Sequence, residues 1–142
     1  MRFMMLMIPK GYESAAPGTM PDAKAVEAMM KYNQSLKEAG VLLSLEGLHP
    51  PSAGARVTFS KGKPMVRYGP FAGVKETLGG FWMIQVNSRE EAIEWATRRP
   101  ASDNEIIEIR QVQEFTDFPA DVQAAAAGLT DLQHHSKKRP GA

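Results

Sequence analysis

The stretch Gly79-Gly80-Phe81-Trp82-Met83-Ile84-Gln85-Val86-Asn87-Ser88-Arg89-Glu90-Glu91 takes the chain from a turn through a strand into a helix. From Phe81 to Val86 both alternating sets, Phe81/Met83 and Trp82/Ile84/Val86, are apolar, which is the pattern of a strand covered on both faces. Ser88 stands three residues before Glu91 as in a capping box, where the serine hydroxyl bonds the amide of Glu91 and the carboxylate bonds back. Ala92, Ile93, Trp95 and Ala96 then supply an apolar stripe that runs to Pro100.

Upstream, Phe3 to Ile8 is apolar on both faces, too short for a helix, and bounded by Pro9 and Gly11, so it reads as a strand. The run is also too short for the apolar region of a signal peptide, and Pro9-Lys10-Gly11 is not a small-residue cleavage site. After a loop, Thr19 is placed to cap a helix over about residues 20–39, with Val26, Met29, Met30 and Leu36 at helical spacing and Gly40 at its end. Val41 to Leu45 is a strand ending near Glu46. Arg56–Ser60 and Met65–Tyr68 form a projecting hairpin around Lys61-Gly62-Lys63-Pro64, where Gly62 supplies a positive φ.

Downstream, Glu105 to Val112 alternates as a strand, Asp121 to Ala127 forms a short helix, and residues 134–142 read as a disordered tail. Three segments follow: a domain over 1–112, an extension over 113–133, and the tail. The order strand, helix, strand, hairpin, strand, helix, strand is an α+β, ferredoxin-like split βαβ plan with an inserted β-hairpin. Both helices of that plan lie on one face of the sheet, so the doubly apolar strands need a second cover. A second copy packed around a two-fold axis supplies it, with the segment from Gln113 to Leu132 as the rival.

Three ordered motifs carry a resemblance: Glu46-Gly47-Leu48-His49-Pro50, then Tyr68-Gly69-Pro70-Phe71, then Lys75-Glu76-Thr77-Leu78-Gly79-Gly80-Phe81-Trp82. Over about residues 1–112 the chain resembles the DGPF branch of the YCII-related proteins. The resemblance implies a homodimer of ferredoxin-like protomers forming a dimeric α/β barrel. Tyr68 stands where that branch has its aspartate, and Gly73 where an acidic residue is common. YCII relatives outside the branch are thought to use a His with an Asp, and no His precedes residue 49 here.

Composition narrows the function classes. A hydrophobic fraction of 43% with 23% charged residues is that of a globular chain. The net charge of +1 gives no broad field for a nucleic acid or an anionic membrane. There is no cysteine, which removes thiolate chemistry and fits a reducing cytoplasm, and no segment has the roughly 20 apolar residues of a membrane span. His134-His135 lacks a third ligand, so no metal site is expected. Gly79-Gly80 lacks phosphate-loop spacing, so no cofactor is expected.

The chemistry-bearing candidates cluster around the loop after the second strand. Glu46 and His49 have the residue types for proton transfer near neutral pH. Tyr68 has a hydroxyl able to donate to a ligand oxygen or to act as a weak acid in catalysis, or simply an aromatic ring to pack. Arg67 and Lys75, the latter beside Glu76, suit a carboxylated ligand. The nine methionines fall on faces that must be buried and read as core rather than as a soft-metal or ligand surface. Three functions fit: a cofactor-free acid–base enzyme acting on a small molecule, a non-catalytic small-molecule-binding or regulatory protein, and a dimeric assembly module.

Overall fold

The computed structural model describes residues 1–134. Its first unit, residues 1–111, holds six strands and two helices. The strands are β1 (Arg2–Ile8), β2 (Leu42–Gly47), β3 (Ala55–Ser60), β4 (Lys63–Tyr68), β5 (Gly80–Gln85) and β6 (Ile106–Gln111), and the helices are α1 (Ala23–Glu38) and α2 (Arg89–Thr97). The main sheet has the order β2-β5-β1-β6 with every neighbouring pair antiparallel. That is the ferredoxin-like order, and β3 and β4 form the inserted hairpin as a separate two-stranded sheet.

Ladder register assigns the faces, because residues directly opposite one another share a side of the sheet. Met5 opposes Trp82 and Ile109, and Phe3 opposes Ile84; with Tyr32, Leu36 and Ala92 from the helices these residues form the core. The opposite face carries Met4 and Leu6 beside Met83 and Phe81, all partly accessible, with Glu46, Glu108 and Arg110 around them.

Several local expectations are corrected. The cap of α1 is Asp22, whose Oδ1 accepts from the Ala25 amide at 2.8 Å, and the helix starts at Ala23. Thr19 instead turns its hydroxyl back onto the Ala16 carbonyl, so it never meets the helix. At α2 the Ser88 hydroxyl accepts from the Glu91 amide as expected, but the Glu91 carboxylate accepts from the amide of Asn87, one residue before the cap. The hairpin turns over Lys61 and Gly62, both at positive φ, which is the two-residue turn that matches strand twist. The second strand runs on through Glu46 to Gly47, so Glu46 is a ladder residue opposite Phe81 rather than a loop residue.

The second unit starts at Val112 and contains α3 (Ala120–Ala125) and α4 (Leu129–Gln133). The amide of Glu114 donates to Asp117 at 2.7 Å in a reciprocal cap, and Gln123 donates to the Phe118 carbonyl at 2.9 Å. The extension therefore holds two short helices where the sequence suggested one. The tail expected over residues 134–142 lies outside the described residues except for His134, which closes α4.

Candidate functional site

Polar and apolar residues meet in a cleft of about 610 Å³ lined by α1, β2, the start of β5 and the loops beside them. Its wall is strongly apolar. Met7, Met20, Met29 and Met30 line it, and Met20 and Met30 are 70% and 59% exposed. Met5 is fully buried and Met7 and Met29 pack against the core, whereas Met20, Met30 and Met65 are exposed, which corrects the reading of the whole set as core packing. A flexible thioether wall adapts to the shape of an apolar guest.

Two polar groups are fixed inside this wall. The Trp82 indole N–H donates to Asn33 Oδ1 at 2.8 Å, and since an indole only donates, the bond fixes which end of the Asn33 amide faces it. Asn33 Nδ2 keeps only a 3.8 Å contact with Met30 Sδ, a weak acceptor. Arg99 donates from Nη1 to Glu105 Oε2, with side chains 4% and 18% exposed, and its guanidinium lies 5.8 Å from the centre of the Trp82 ring. The Arg99 Nε is buried with no partner. Asn33 Nδ2 keeps spare donor capacity and the buried Arg99 guanidinium puts a positive charge in the wall, a match for a guest that brings an acceptor oxygen.

Tyrosines buttress the site. Tyr12 donates its hydroxyl to the Leu48 carbonyl, tying the first loop to the segment after β2, and burial pushes its phenol above the ordinary tyrosine range. Tyr32 packs edge-on against Trp82 with ring centres 5.8 Å apart and donates to the Trp95 carbonyl at 2.8 Å. Burial pushes Tyr32 up to about 12, with Arg99 and Arg98 pulling the other way.

Close backbone contact shapes the floor. A Cβ on Gly80 would lie 2.7 Å from the Glu46 carbonyl oxygen, and one on Gly79 2.8 Å from Pro9 Cγ. The Gly79-Gly80 pair is therefore a steric requirement of the cleft.

The expected site residues are dispersed. Glu46 and His49 both border the cleft and are exposed. The Glu46 side chain shares its ladder face with Phe81, while Leu45 and Trp82 face the core. Tyr68 ends β4, and Arg67 opposes Arg56 on the other side of the hairpin; neither borders the cleft. Lys75 borders a separate recess of about 470 Å³ with Glu13 and Phe71.

Sequence reading missed Tyr12, Asn33, Arg99 and Glu105. One signal was present: Asn33 falls at helical spacing from Val26, Met29 and Met30, a polar residue inside an apolar stripe. Among the described residues no group of three His, Asp or Glu is placed to hold a metal, and no helix is long and apolar enough to cross a membrane.

The model of the YCII-related domain matches residues 1–116 of this chain. An uncharacterised protein of Rhizobium meliloti (strain 1021) is 35% identical over 75 residues, covering 53% of this chain and 60% of the relative.

Proposed function

The chain belongs to the YCII-related domain family, and on that premise we propose that it is a homodimeric small-molecule-binding protein that works without a cofactor. The observation that carries the binding reading is the methionine-walled cleft with the Asn33 amide and the Arg99 guanidinium set into its wall. Apolar walls with a few placed polar groups are the usual make-up of a ligand site. The guest is an apolar aromatic or short aliphatic molecule carrying a carbonyl or carboxylate oxygen. Gly69-Pro70-Phe71 between the Glu46–Pro50 and Lys75–Trp82 motifs supports membership of the DGPF branch, from which Tyr68 departs.

The homodimer is supported by the second face of the main sheet. Met4, Leu6, Phe81 and Met83 remain partly accessible there, in a patch bordered by charged residues. A two-fold copy packed on that patch completes a barrel of two sheets.

A second reading, acid–base catalysis on the bound guest, is favoured by His49 and Glu46 both bordering the cleft. Arg67, Lys75 and Tyr68 lie away from the cleft and have no part in this reading. A thermal-shift panel of aromatic and aliphatic carboxylates, followed by a turnover assay on each stabilising compound, separates the readings. Stabilisation with the folded double variant Arg99→Met/Glu105→Leu losing at least tenfold in affinity supports binding. Turnover that falls at least tenfold in His49→Gln and Glu46→Gln, at unchanged affinity, supports catalysis. No stabilisation by any carboxylate, amide or ester contradicts both.

A further inference from the structure

Every residue of β3 and β4 is exposed, and neither strand pairs with the main sheet. Register sorts the hairpin into two unlike faces. Ala55/Tyr68, Val57/Val66 and Phe59/Pro64 are directly opposed pairs on one face, while Arg56/Arg67, Thr58/Met65 and Ser60/Lys63 are opposed on the other. One side of the hairpin is wholly apolar.

Both sides are open to solvent, the apolar one included. On the basic side Arg56 lies 4.5 Å over the ring of Phe71. Val57, Val66, Phe59 and Tyr68 are 53%, 56%, 74% and 81% exposed. A lone two-stranded hairpin is marginal in water, and such a face on it calls for a partner.

We infer that this hairpin is a clasp whose apolar face packs on the body of a second copy of the chain. The inference rests on the homodimer reading and adds to it a second contact region. Two observations select a second copy as the occupant. First, the two aromatics and two valines expose on the order of 450 Å², about half of the roughly 800 Å² per partner that a stable interface buries. The accessible patch on the main sheet supplies the remainder, so the two regions together make one interface of ordinary size.

Second, charge is unevenly divided. Residues 55–68 hold four of the chain's 17 basic residues and none of its 16 acidic ones, which leaves 13 basic against 16 acidic elsewhere. A hairpin of charge +4 is attracted to a body of charge −3 and repelled by another hairpin, which favours a crossed arrangement of hairpin on body.

The test uses the geometry of the hairpin's base. The Gly69 amide donates to the Gly54 carbonyl at 2.9 Å, so residues 55–68 can be excised and Gly54 joined to Gly69 through a short linker. Sedimentation equilibrium is run on the wild type, on the excised chain and on the doubly substituted Phe59→Lys/Val66→Lys chain, with circular dichroism as the check of folding. The expected result is a dimeric wild type and at least a hundredfold weaker dimer in both variants. Dimer constants within twofold of wild type in either folded variant would overturn the clasp while leaving the homodimer intact. A monomeric wild type would overturn the homodimer reading and the clasp with it. A photo-crosslinking residue at position 59 reads the contact directly: crosslinks to residues outside 55–68 of another copy support the clasp. Crosslinks confined to its own chain or to another hairpin overturn it.

Discussion

Arg99 and Glu105 form an ion pair across the turn at Pro100, with the arginine almost wholly buried and the glutamate nearly so. Removing one partner of such a pair leaves an uncompensated charge in the interior. Glu105→Gln should therefore destabilise the chain by about 3 kcal/mol, the low end for a buried pair because Glu105 keeps some contact with solvent. The double variant Arg99→Met/Glu105→Leu should regain most of that loss. Urea denaturation of the three chains checks both statements, and a single variant as stable as wild type would contradict the first.

Gly80 faces a backbone oxygen rather than a side chain. A methyl group there would sit 2.7 Å from the Glu46 carbonyl and 3.3 Å from Gly47 Cα, and neither can rotate away. Gly80→Ala should open the β2–β5 ladder and cost about 2–4 kcal/mol. An unchanged melting curve for that variant would mean that the ladder yields more easily than its close contact implies.

Tyr32 makes stability fall in alkali. In the unfolded chain its phenol ionises near 10, whereas burial in the folded protein pushes it up to about 12. Between those values the unfolded state holds fewer protons than the folded one, so stability declines as pH rises, and below about 10 the residue contributes no pH dependence. Absorbance titration at tyrosinate wavelengths should show a late ionisation that is absent from Tyr32→Phe. The stability of Tyr32→Phe should also decline less steeply across that window, despite the lost bond to the Trp95 carbonyl.

The two caps test a smaller scale. Asp22→Ala and Ser88→Ala each remove one acceptor from a helix N-terminus and should each cost about 1 kcal/mol. Thr19→Ala should change helix stability little, since its hydroxyl bonds Ala16. A larger loss from Thr19→Ala than from Asp22→Ala would contradict the assignment of the cap.

The sequence made the sheet legible because Phe81 to Val86 and Phe3 to Ile8 are apolar at both alternating sets, and only a strand order with those two at the centre buries them. The helices were legible from spacing, but the start of α1 was not. Thr19 and Asp22 are both good caps, and the choice depends on where the loop before them turns. The site was less legible than the fold. Glu46 and His49 were found because they stand in a motif, whereas Arg99, after Arg98 and before Pro100, looks in sequence like a solvated helix end. Its burial depends on Trp82 and Glu105, which reach it only through the fold. Met20 and Met30 were misread for a related reason: spacing tells which side of α1 Met30 shares with Met29, which does pack on the core, but not that the space beside it is left open.

That open space is the centre of the account, and the methionine methyl groups report on it directly. Carbon-13 methyl labelling gives one resonance for each of the nine methionines, of which Met7, Met20, Met29 and Met30 line the cleft while Met65 lies on the hairpin. The chain is titrated with a series of aromatic and short aliphatic carboxylates and amides. The account expects saturable shifts at Met7, Met20, Met29 and Met30, with Met65 unmoved, and a loss of those shifts at the same concentrations in the folded double variant Arg99→Met/Glu105→Leu. Shifts at Met65 alone, or no saturable shift at any of the four cleft methyls across the series, would contradict it.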